Sequence, residues 1–274
     1  MGWNVKIAAA LVLAAGPAYA DNAEVHTFHC LHGCPMGASS TNDLIVREIY
    51  TLSSNDRTKF ADWVAYRVTA DSVGRSGGRR WQRDPWLGAD ETLEPGDYDG
   101  APNALGIDRG HQAPLAAFSG TVFADDTNIL SNITPQSSAL NQAPWQYLEA
   151  QERRLVTRPP EEGPLPVIYV LTGPLYERPM PEMPMPAGRK RHRVPSGYWK
   201  VLATPDGRLS AFIFDQATPR SASYCEFRVS LEAVEIRADL TLFPRLQALR
   251  RQLTQTASLE VDDRGTSNAA VLMA

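Results

Sequence analysis

The sequence has 274 residues, of which 21% are charged and 43% are hydrophobic, and its formal net charge is −4. This length is sufficient for one large domain or two small ones with a buried core. The acidic balance argues against a tight nucleic-acid binder with a uniformly basic surface. It does not exclude an enzyme that needs only a local positive groove.

Residues 1–20 have the pattern of a secretory signal peptide. Lys6 gives a positive start, an apolar run extends from Ile7 to Ala15, and Ala18-Tyr19-Ala20 has the small-x-small spacing of a cleavage site. The apolar run is too short to span a bilayer, so an uncleaved anchor is the less favoured interpretation. We therefore expect cleavage after Ala20, a secreted or periplasmic protein, and no membrane segment in the mature form.

The three cysteines divide into a close pair and a single residue. Cys30 and Cys34 flank Gly33, so a local disulfide is the natural pairing in an exported chain. Three histidines interleave with this pair, but their spacing fits no standard zinc pattern. Cys225 is left over, either as a buried thiol or in an intermolecular disulfide.

Alternation and apolar runs predict strands at 45–52, 63–69, 127–134, 167–172, 198–203 and 209–215, with a turn at 53–56. Helices are predicted over 141–156 and 231–257, the latter with a second helix that begins at Pro244. Residues 72–99 form a long surface connection. Strands in both halves, together with helices, predict a single α+β domain over residues 21–260, built on a mainly antiparallel sheet flanked by helices and followed by a flexible tail at 261–274.

One short segment concentrates reactive side chains. Residues 108–114, Asp-Arg-Gly-His-Gln-Ala-Pro, contain a carboxylate, a guanidinium and an imidazole within four positions. Gly110 lets the backbone approach a ligand closely. Neutral imidazole near pH 7 is a good general base, and His111 is the only histidine in such a mixed-charge setting. A histidine beside an arginine is, on its own, more often structural.

A helical stripe follows this segment. Asn141, Trp145, Glu149 and Arg153 are four residues apart, so they lie along one slowly drifting face. We expect Trp145 to be a core residue. Pro144 is tolerated there because it falls in the first turn of the helix, where its missing N–H has no partner.

These residues resemble the DNA/RNA non-specific endonuclease family. The resemblance rests on residues 108–114 and on Leu-Ser-Asn-Ile-Thr-Pro-Gln at 130–136. Shorter matching segments lie at 30–35, 60–66, 140–142, 148–149, 171–178 and 195–201. It covers roughly residues 30–230. It implies a ββα-metal active-site motif, hydrolysis of phosphodiester bonds in DNA and RNA, contact through the phosphate backbone, and a possible homodimer.

The resemblance also implies a role for each matching residue. His111 matches the general base that activates the attacking water, and Asn141 matches the one direct protein ligand of a divalent ion. Glu149 would hold metal-bound waters, and Arg79 would stabilise charge on the phosphate in the transition state. The implied ion is Mg²⁺, which keeps several waters when bound, and Mn²⁺ fits the same oxygen-rich site.

Some of these assignments have structural alternatives. Asn141 is a residue type that commonly caps a helix N-terminus, and Glu149 could be an ordinary surface carboxylate. Arg80 adjoins Arg79, and the sequence alone does not decide which of the two points inward. The family pattern on the following Trp81 favours Arg79.

The remaining site candidates receive weaker assignments. Arg109 is adjacent to the base, and Arg153 could pair with Glu149 at i,i+4. Asn132 is expected to pin the loop around the site. Asp108 is expected to orient Arg109 or nearby backbone and not to bind the metal.

Two other functions stay open from the sequence. One is a phosphodiesterase that acts on other phosphoesters, and the other is a non-catalytic extracellular nucleic-acid-binding protein. The basic run at 189–193 could follow a phosphate backbone or could be a solvated loop. No recognition helix or zinc finger offers base-edge readout, which predicts weak sequence preference.

Overall fold

A seven-stranded antiparallel sheet is the framework on which the other elements are arranged. The computed structural model describes residues 24–75, 77–182, 190 and 193–246. The strands are β1 (Asp43–Val46), β2 (Tyr50–Asn55), β3 (Phe60–Val68), β4 (Ile107–His111), β5 (Ile133–Ser137), β6 (Ile168–Leu175), β7 (Gly197–Ala203), β8 (Leu209–Asp215) and β9 (Arg228–Val229). The main sheet has the order β1-β2-β3-β6-β7-β8-β9, while β4 and β5 pair only with each other.

The helices are short except for one. They are α1 (Ala101–Leu105), α2 (Leu115–Phe118), α3 (Ser138–Leu140), α4 (Gln146–Thr157) and α5 (Leu231–Ala238), and a π-helical turn at Asn141–Trp145 joins α3 to α4. Short 3-10 helices lie at Ala70–Ser72, Pro95–Tyr98, Ala124–Asn128, Leu130–Asn132, Pro160–Glu162, Tyr224–Phe227 and Pro244–Leu246. Within the described ranges, no helix has the length and apolar character needed to cross a membrane.

The two faces of the sheet bury different helices. Along β3, Val64 and Tyr66 join a core that includes Leu148 of α4. The alternate residues Trp63 and Ala65 join the opposite core, which α5 and the segment around Cys30 and Cys34 cover. This period of two is the side-chain alternation of a strand buried on both faces. The predicted single α+β domain with helices flanking an antiparallel sheet is confirmed.

Three local predictions were wrong. The run 45–52 is not one strand, because a turn closed by the Arg47 N–H on the Tyr50 carbonyl, at 2.9 Å, separates β1 from β2. The turn predicted at 53–56 begins too early, since β2 continues to Asn55 through a register shift between Ser53 and Ser54. The strand predicted at 127–134 is mostly 3-10 helix, and the Asn132 side chain donates to the Thr127 carbonyl within it.

The C-terminal helix is shorter than predicted. It ends after Ala238, where Asp239 has a left-handed φ of 54°, and a 3-10 turn at Pro244–Leu246 ends the described part of the chain. The rest of that predicted helix, the predicted signal peptide, the predicted tail, and Arg189, Arg191 and His192 of the basic run lie outside the described residues.

The predicted disulfide is confirmed. Cys30 and Cys34 are bonded, with Cα atoms 4.8 Å apart. The nearby histidines do not converge on a metal site, since buried His29 makes 3.0 Å hydrogen bonds to the Thr51 hydroxyl and the Glu48 carbonyl. Cys225 is not in a disulfide, and it packs half-buried against the core below α4.

A buried ion pair joins α4 to the sheet. The Lys200 ammonium lies 2.7 Å from Glu152 Oε1, and both side chains are fully buried. The Tyr66 hydroxyl donates to Glu152 Oε2 at 2.8 Å, and the Trp145 ring lies 4.4 Å from the ammonium. Every charge in this cluster is therefore compensated, as a buried pair requires.

Removal of one partner is expected to be costly. We expect Glu152→Leu to lower the free energy of unfolding by about 3–5 kcal/mol, because Lys200 then stays buried without a counter-charge. Urea unfolding followed by tryptophan fluorescence measures the change. The control is the double variant Glu152→Leu/Lys200→Met, which is expected to recover much of the loss. A single variant as stable as the wild type would contradict this role.

Candidate active site

The reactive segment lies on a strand that leads, through its partner strand, into a helix. β4 and β5 are antiparallel, with His111 opposite Ile133 and Gly110 opposite Thr134, and α3 begins directly after β5. A Cβ at Gly110 would lie 2.6 Å from the Gln136 side chain, so this glycine makes room for Gln136. From the sequence, this glycine was expected to let the backbone approach a ligand.

His111 is held in one orientation by a buried amide. Its Nε2 lies 3.1 Å from Asn128 Oδ1. Because Oδ1 only accepts, Nε2 carries the hydrogen, and the Nδ1 lone pair is left to accept a proton. The Trp81 ring packs against the imidazole, with centroids 5.3 Å apart. The ring is therefore held both by packing against Trp81 and by its hydrogen bond to Asn128.

The imidazole is neutral over most of the pH range. Burial lowers the pKa of His111 from 6.5 to about 4, and the positive charge of Arg79 acts in the same direction. The Asn128 hydrogen bond raises that pKa and so opposes the shift in part. At neutral pH, His111 is thus an available base.

The two adjacent arginines diverge. Arg79 is close enough for its charge to act on His111, and it makes no ion pair with a carboxylate in the part of the chain that the structure describes. Arg80 points elsewhere, with its guanidinium 3.7 Å from the Asp125 carboxylate. Of the two, Arg79 is the one whose charge acts on the imidazole.

Asp108 connects β4 to the helix. Its Oδ1 accepts from the Ser138 hydroxyl at 2.7 Å, and its Oδ2 accepts from Asn141 Nδ2 at 3.0 Å and from Gln142 Nε2 at 2.8 Å. The expectation that Asp108 orients Arg109 or nearby backbone was wrong. These three partners are side chains in the first turns of the helix after β5.

Asn141 lies inside the helix and not at its cap. Its backbone is helical, with φ −59° and ψ −42°, because α3 begins three residues earlier at Ser138. The N-cap interpretation was therefore wrong. Pro144 consequently lies in the helix interior, within the π turn. Proline has no backbone N–H to donate, and the wider π turn accommodates the missing hydrogen bond.

Arg109 forms part of the wall beside the base. Its guanidinium donates to the Pro95 carbonyl at 2.8 Å and lies 3.8 Å from the Asp99 carboxylate. It also lies 5.4 Å from the Trp81 ring and 5.2 Å from the Tyr98 ring. In this arrangement Arg109 supports Trp81, which in turn packs on the imidazole.

Asn132 makes three hydrogen bonds to backbone. It accepts from the Ala113 N–H and donates to the Ala113 and Thr127 carbonyls, each at 2.9 Å, and it is fully buried. These contacts hold the segment after His111 against the segment that carries Asn128. Asn132 is therefore placed as a positioning residue.

Glu149 is half-buried on α4. Burial raises the pKa of the Glu149 carboxyl to about 7, and the negative charge of Glu152 adds to the rise, while Lys200 and Arg153 oppose it. An ordinary surface carboxylate does not show this behaviour. Arg153 lies within electrostatic reach of Glu149 but forms no ion pair within 4 Å among the described residues.

The residues around Asn141 fit a divalent cation. Asp108 occupies the Asn141 amide nitrogen, which leaves its carbonyl oxygen as a possible ligand. Glu149 is a desolvated carboxylate with a raised pKa, the kind of group that a nearby cation stabilises in its charged form. Amide and carboxylate oxygens are the ligands that Mg²⁺ prefers, and this ion keeps several waters of its own.

A second group of carboxylates lies elsewhere on the surface. Asp43, Asp56 and Glu91 bring oxygens within 4.8 Å of one another. Such a cluster could hold a metal, although exposed acidic groups are common without one. No sequence motif accompanies it.

Comparison with known proteins identifies the family to which this chain belongs. The sequence profile described as DNA/RNA non-specific endonuclease matches residues 32–249. The chain belongs to this endonuclease family. It is 45% identical to a nuclease of Serratia marcescens over 247 residues, which is 89% of this chain and 90% of that protein. It is 32% identical to human mitochondrial endonuclease G over 218 residues, which is 74% of this chain and 70% of that protein.

A solved structure agrees with the fold. The crystal structure of the EndoG/EndoGI complex superposes with a TM-score of 0.59 at 24% identity, over 76% of this chain and 88% of that one. The predicted family resemblance is confirmed. As a member of the DNA/RNA non-specific endonuclease family, the chain is a nuclease that acts on nucleic acids.

Sequence reasoning missed Asn128 in this endonuclease site. Asn128 is fully buried and holds His111, but it lies in a segment whose alternation had indicated a strand. A usable signal was present. Two asparagines four residues apart, Asn128 and Asn132, flank the apolar pair Ile129 and Leu130, and buried amides require partners.

His111 is expected to stay neutral well below pH 6. Its pKa is about 4 in the folded protein and about 6.5 in an unfolded chain, so between these values the unfolded chain binds more protons. Acidification through this window therefore removes stability at this position. NMR titration of the ring measures the pKa directly.

Two variants control this titration. Asn128→Ala is expected to lower the pKa of His111 further, because the hydrogen bond from that residue raises it. His111→Gln is expected to give a flatter dependence of stability on pH between 4 and 6.5. A midpoint near 6.5 for the wild type would contradict the buried, neutral imidazole.

Proposed function

We propose that this chain is a secreted, Mg²⁺-dependent endonuclease that hydrolyses phosphodiester bonds in both DNA and RNA with His111 as general base. The observation that carries the proposal is the neutral imidazole, whose Nε2 is tied to Asn128 and whose Nδ1 is left to accept a proton. Secretion rests on the signal-peptide pattern of residues 1–20.

His111 Nδ1 takes a proton from water as the water oxygen bonds to phosphorus. The bond from phosphorus to the leaving oxygen then breaks, and that oxygen takes up a proton from solvent water. Burial and the charge of Arg79 disfavour the imidazolium, so the ring gives its proton up readily afterwards. The Arg79 guanidinium donates to the non-bridging oxygens, where negative charge accumulates in the transition state.

Asn141 and Glu149 would hold the metal ion. The Asn141 carbonyl oxygen would be the direct ligand, and Glu149 would orient metal-bound water. Bound Mg²⁺, for which Mn²⁺ is the alternative, supplies positive charge to the phosphate and the leaving oxygen. All these contacts address the phosphate backbone, which DNA and RNA share, so they carry no base preference.

Cleavage of plasmid DNA and of RNA tests the proposal. We expect residues 21–274 to cut both polymers with Mg²⁺ and neither with EDTA. We expect His111→Ala to be slower by about 10²–10⁴-fold, because the general base is lost. The cleavage rate of Asn128→Ala is expected to lie between those of the wild type and His111→Ala, because this variant keeps the general base but loses the contact that orients it. Intact plasmid after incubation of the wild type with Mg²⁺ would refute the proposal.

Metal binding is tested separately from activity. We expect Asn141→Ala and Glu149→Gln each to weaken Mn²⁺ binding by about 10–100-fold, because the first removes the ligand and the second removes the carboxylate that orients bound water. Electron paramagnetic resonance of free Mn²⁺ gives the dissociation constant. Gln146→Ala, an exposed change on the same helix, is the matched control. Equal Mn²⁺ affinity in all four proteins would show that the ion is held elsewhere.

A further inference from the structure

A groove lies between α4 and the segment that follows β8. Tyr147, Ala150 and Gln151 line one wall, and residues 221–224 line the other. The cavity has a volume of about 310 Å³. The Tyr147 side chain is 55% exposed, so an aromatic ring faces an open space that could accept a flat ligand.

One end of this groove is joined to the candidate active site by hydrogen bonds. The Arg220 guanidinium donates to Gln142 Oε1 at 2.8 Å and to the Ser138 carbonyl at 3.3 Å. Gln142 in turn donates to Asp108, the carboxylate that also holds Asn141. The segment that lines the groove thus begins beside the proposed metal ligand.

The helix wall of the groove carries no negative charge. The only carboxylates of α4 are Glu149 and Glu152, and Glu152 is buried against Lys200. The outer face of α4 instead presents Gln146, Tyr147, Ala150, Gln151 and Arg154. In a chain whose net charge is −4, a face without carboxylates beside the site is suited to a polyanion.

Two carboxylates lie near the ends of the groove, and both are engaged. Glu162 lies 3.3 Å from the Arg154 guanidinium at the far end of the helix. Glu226 accepts from the Ser223 N–H at 3.3 Å on the facing segment. Arg220, by contrast, is exposed at the end nearest Asn141, and a guanidinium has five N–H donors, of which these contacts use only a part.

We propose that the groove binds a nucleotide of the substrate strand that leads away from the scissile phosphate. The Tyr147 ring stacks on the base, Gln151 and Ser221 offer hydrogen bonds to it, and Arg220 contacts a phosphate. Gln142 and Tyr147 are five residues apart, about 7.5 Å along the helix axis at 1.5 Å per residue. Stacking tolerates any base, in keeping with a non-specific nuclease. This inference rests on the proposed function.

The test measures binding of a fluorescein-labelled (dT)₁₂ oligonucleotide by anisotropy. The His111→Ala variant is the parent, so the oligonucleotide is not cut during the measurement. We expect Tyr147→Ala in this parent to raise the Kd about 5–150-fold, the change that corresponds to loss of one base–aromatic stack. Tyr147→Phe keeps the ring and is expected to bind as the parent does. Ile236→Ala, an exposed apolar change on α5, is expected to have no effect.

Each other outcome has a definite meaning. Equal Kd for the parent and Tyr147→Ala, or no binding of (dT)₁₂ by the parent, overturns the groove as a nucleotide site. If Tyr147→Ala instead changes the molar mass in sedimentation, the groove is a contact between two copies of the chain and the inference is wrong. Failure of the wild type to cut plasmid overturns the proposed function and is seen in a separate assay.

Discussion

The orientation of the side-chain amides in the site depends on the Asp108 carboxylate. It accepts hydrogen bonds from Ser138, Asn141 and Gln142, which all lie in the first turns of the helix after β5. Because an ionised carboxylate only accepts, both amides must turn their nitrogens toward it. The Asn141 carbonyl oxygen therefore faces away from Asp108, and Gln142 is left to bind Arg220 through its own oxygen.

Burial acts on the two ionisable groups of the site in opposite directions. It lowers the pKa of His111 to about 4 and raises the pKa of Glu149 to about 7, because in each case it disfavours the charged form. Arg79 and Arg153 supply positive charge beside these groups. Local charge of this kind explains how a chain with a net charge of −4 can belong to a nuclease family, since substrate binding depends on the field in the cleft.

Much of the site could be located from sequence, but its internal contacts could not. The residues from Asn141 to Arg153 are helical, as predicted, and Trp145 is fully buried as expected. Asn128 was missed because its segment alternates like a strand, although it folds into 3-10 turns. Asp108 was assigned to the wrong partner for a similar reason, since its hydrogen-bond donors lie 30 to 34 positions away.

The sequence by itself determined the family, the disulfide, most strands of the main sheet and the order of the reactive residues. These features are carried by local spacing, by period-two burial and by a long motif. Only the tertiary structure decided that Asn141 is inside the helix, that Asp108 bonds to the helix after β5, and that a groove lies beside α4. Each of these depends on partners far apart in the chain, whose hydrogen bonds form only once the strands and helix are packed together, and no local pattern encodes them.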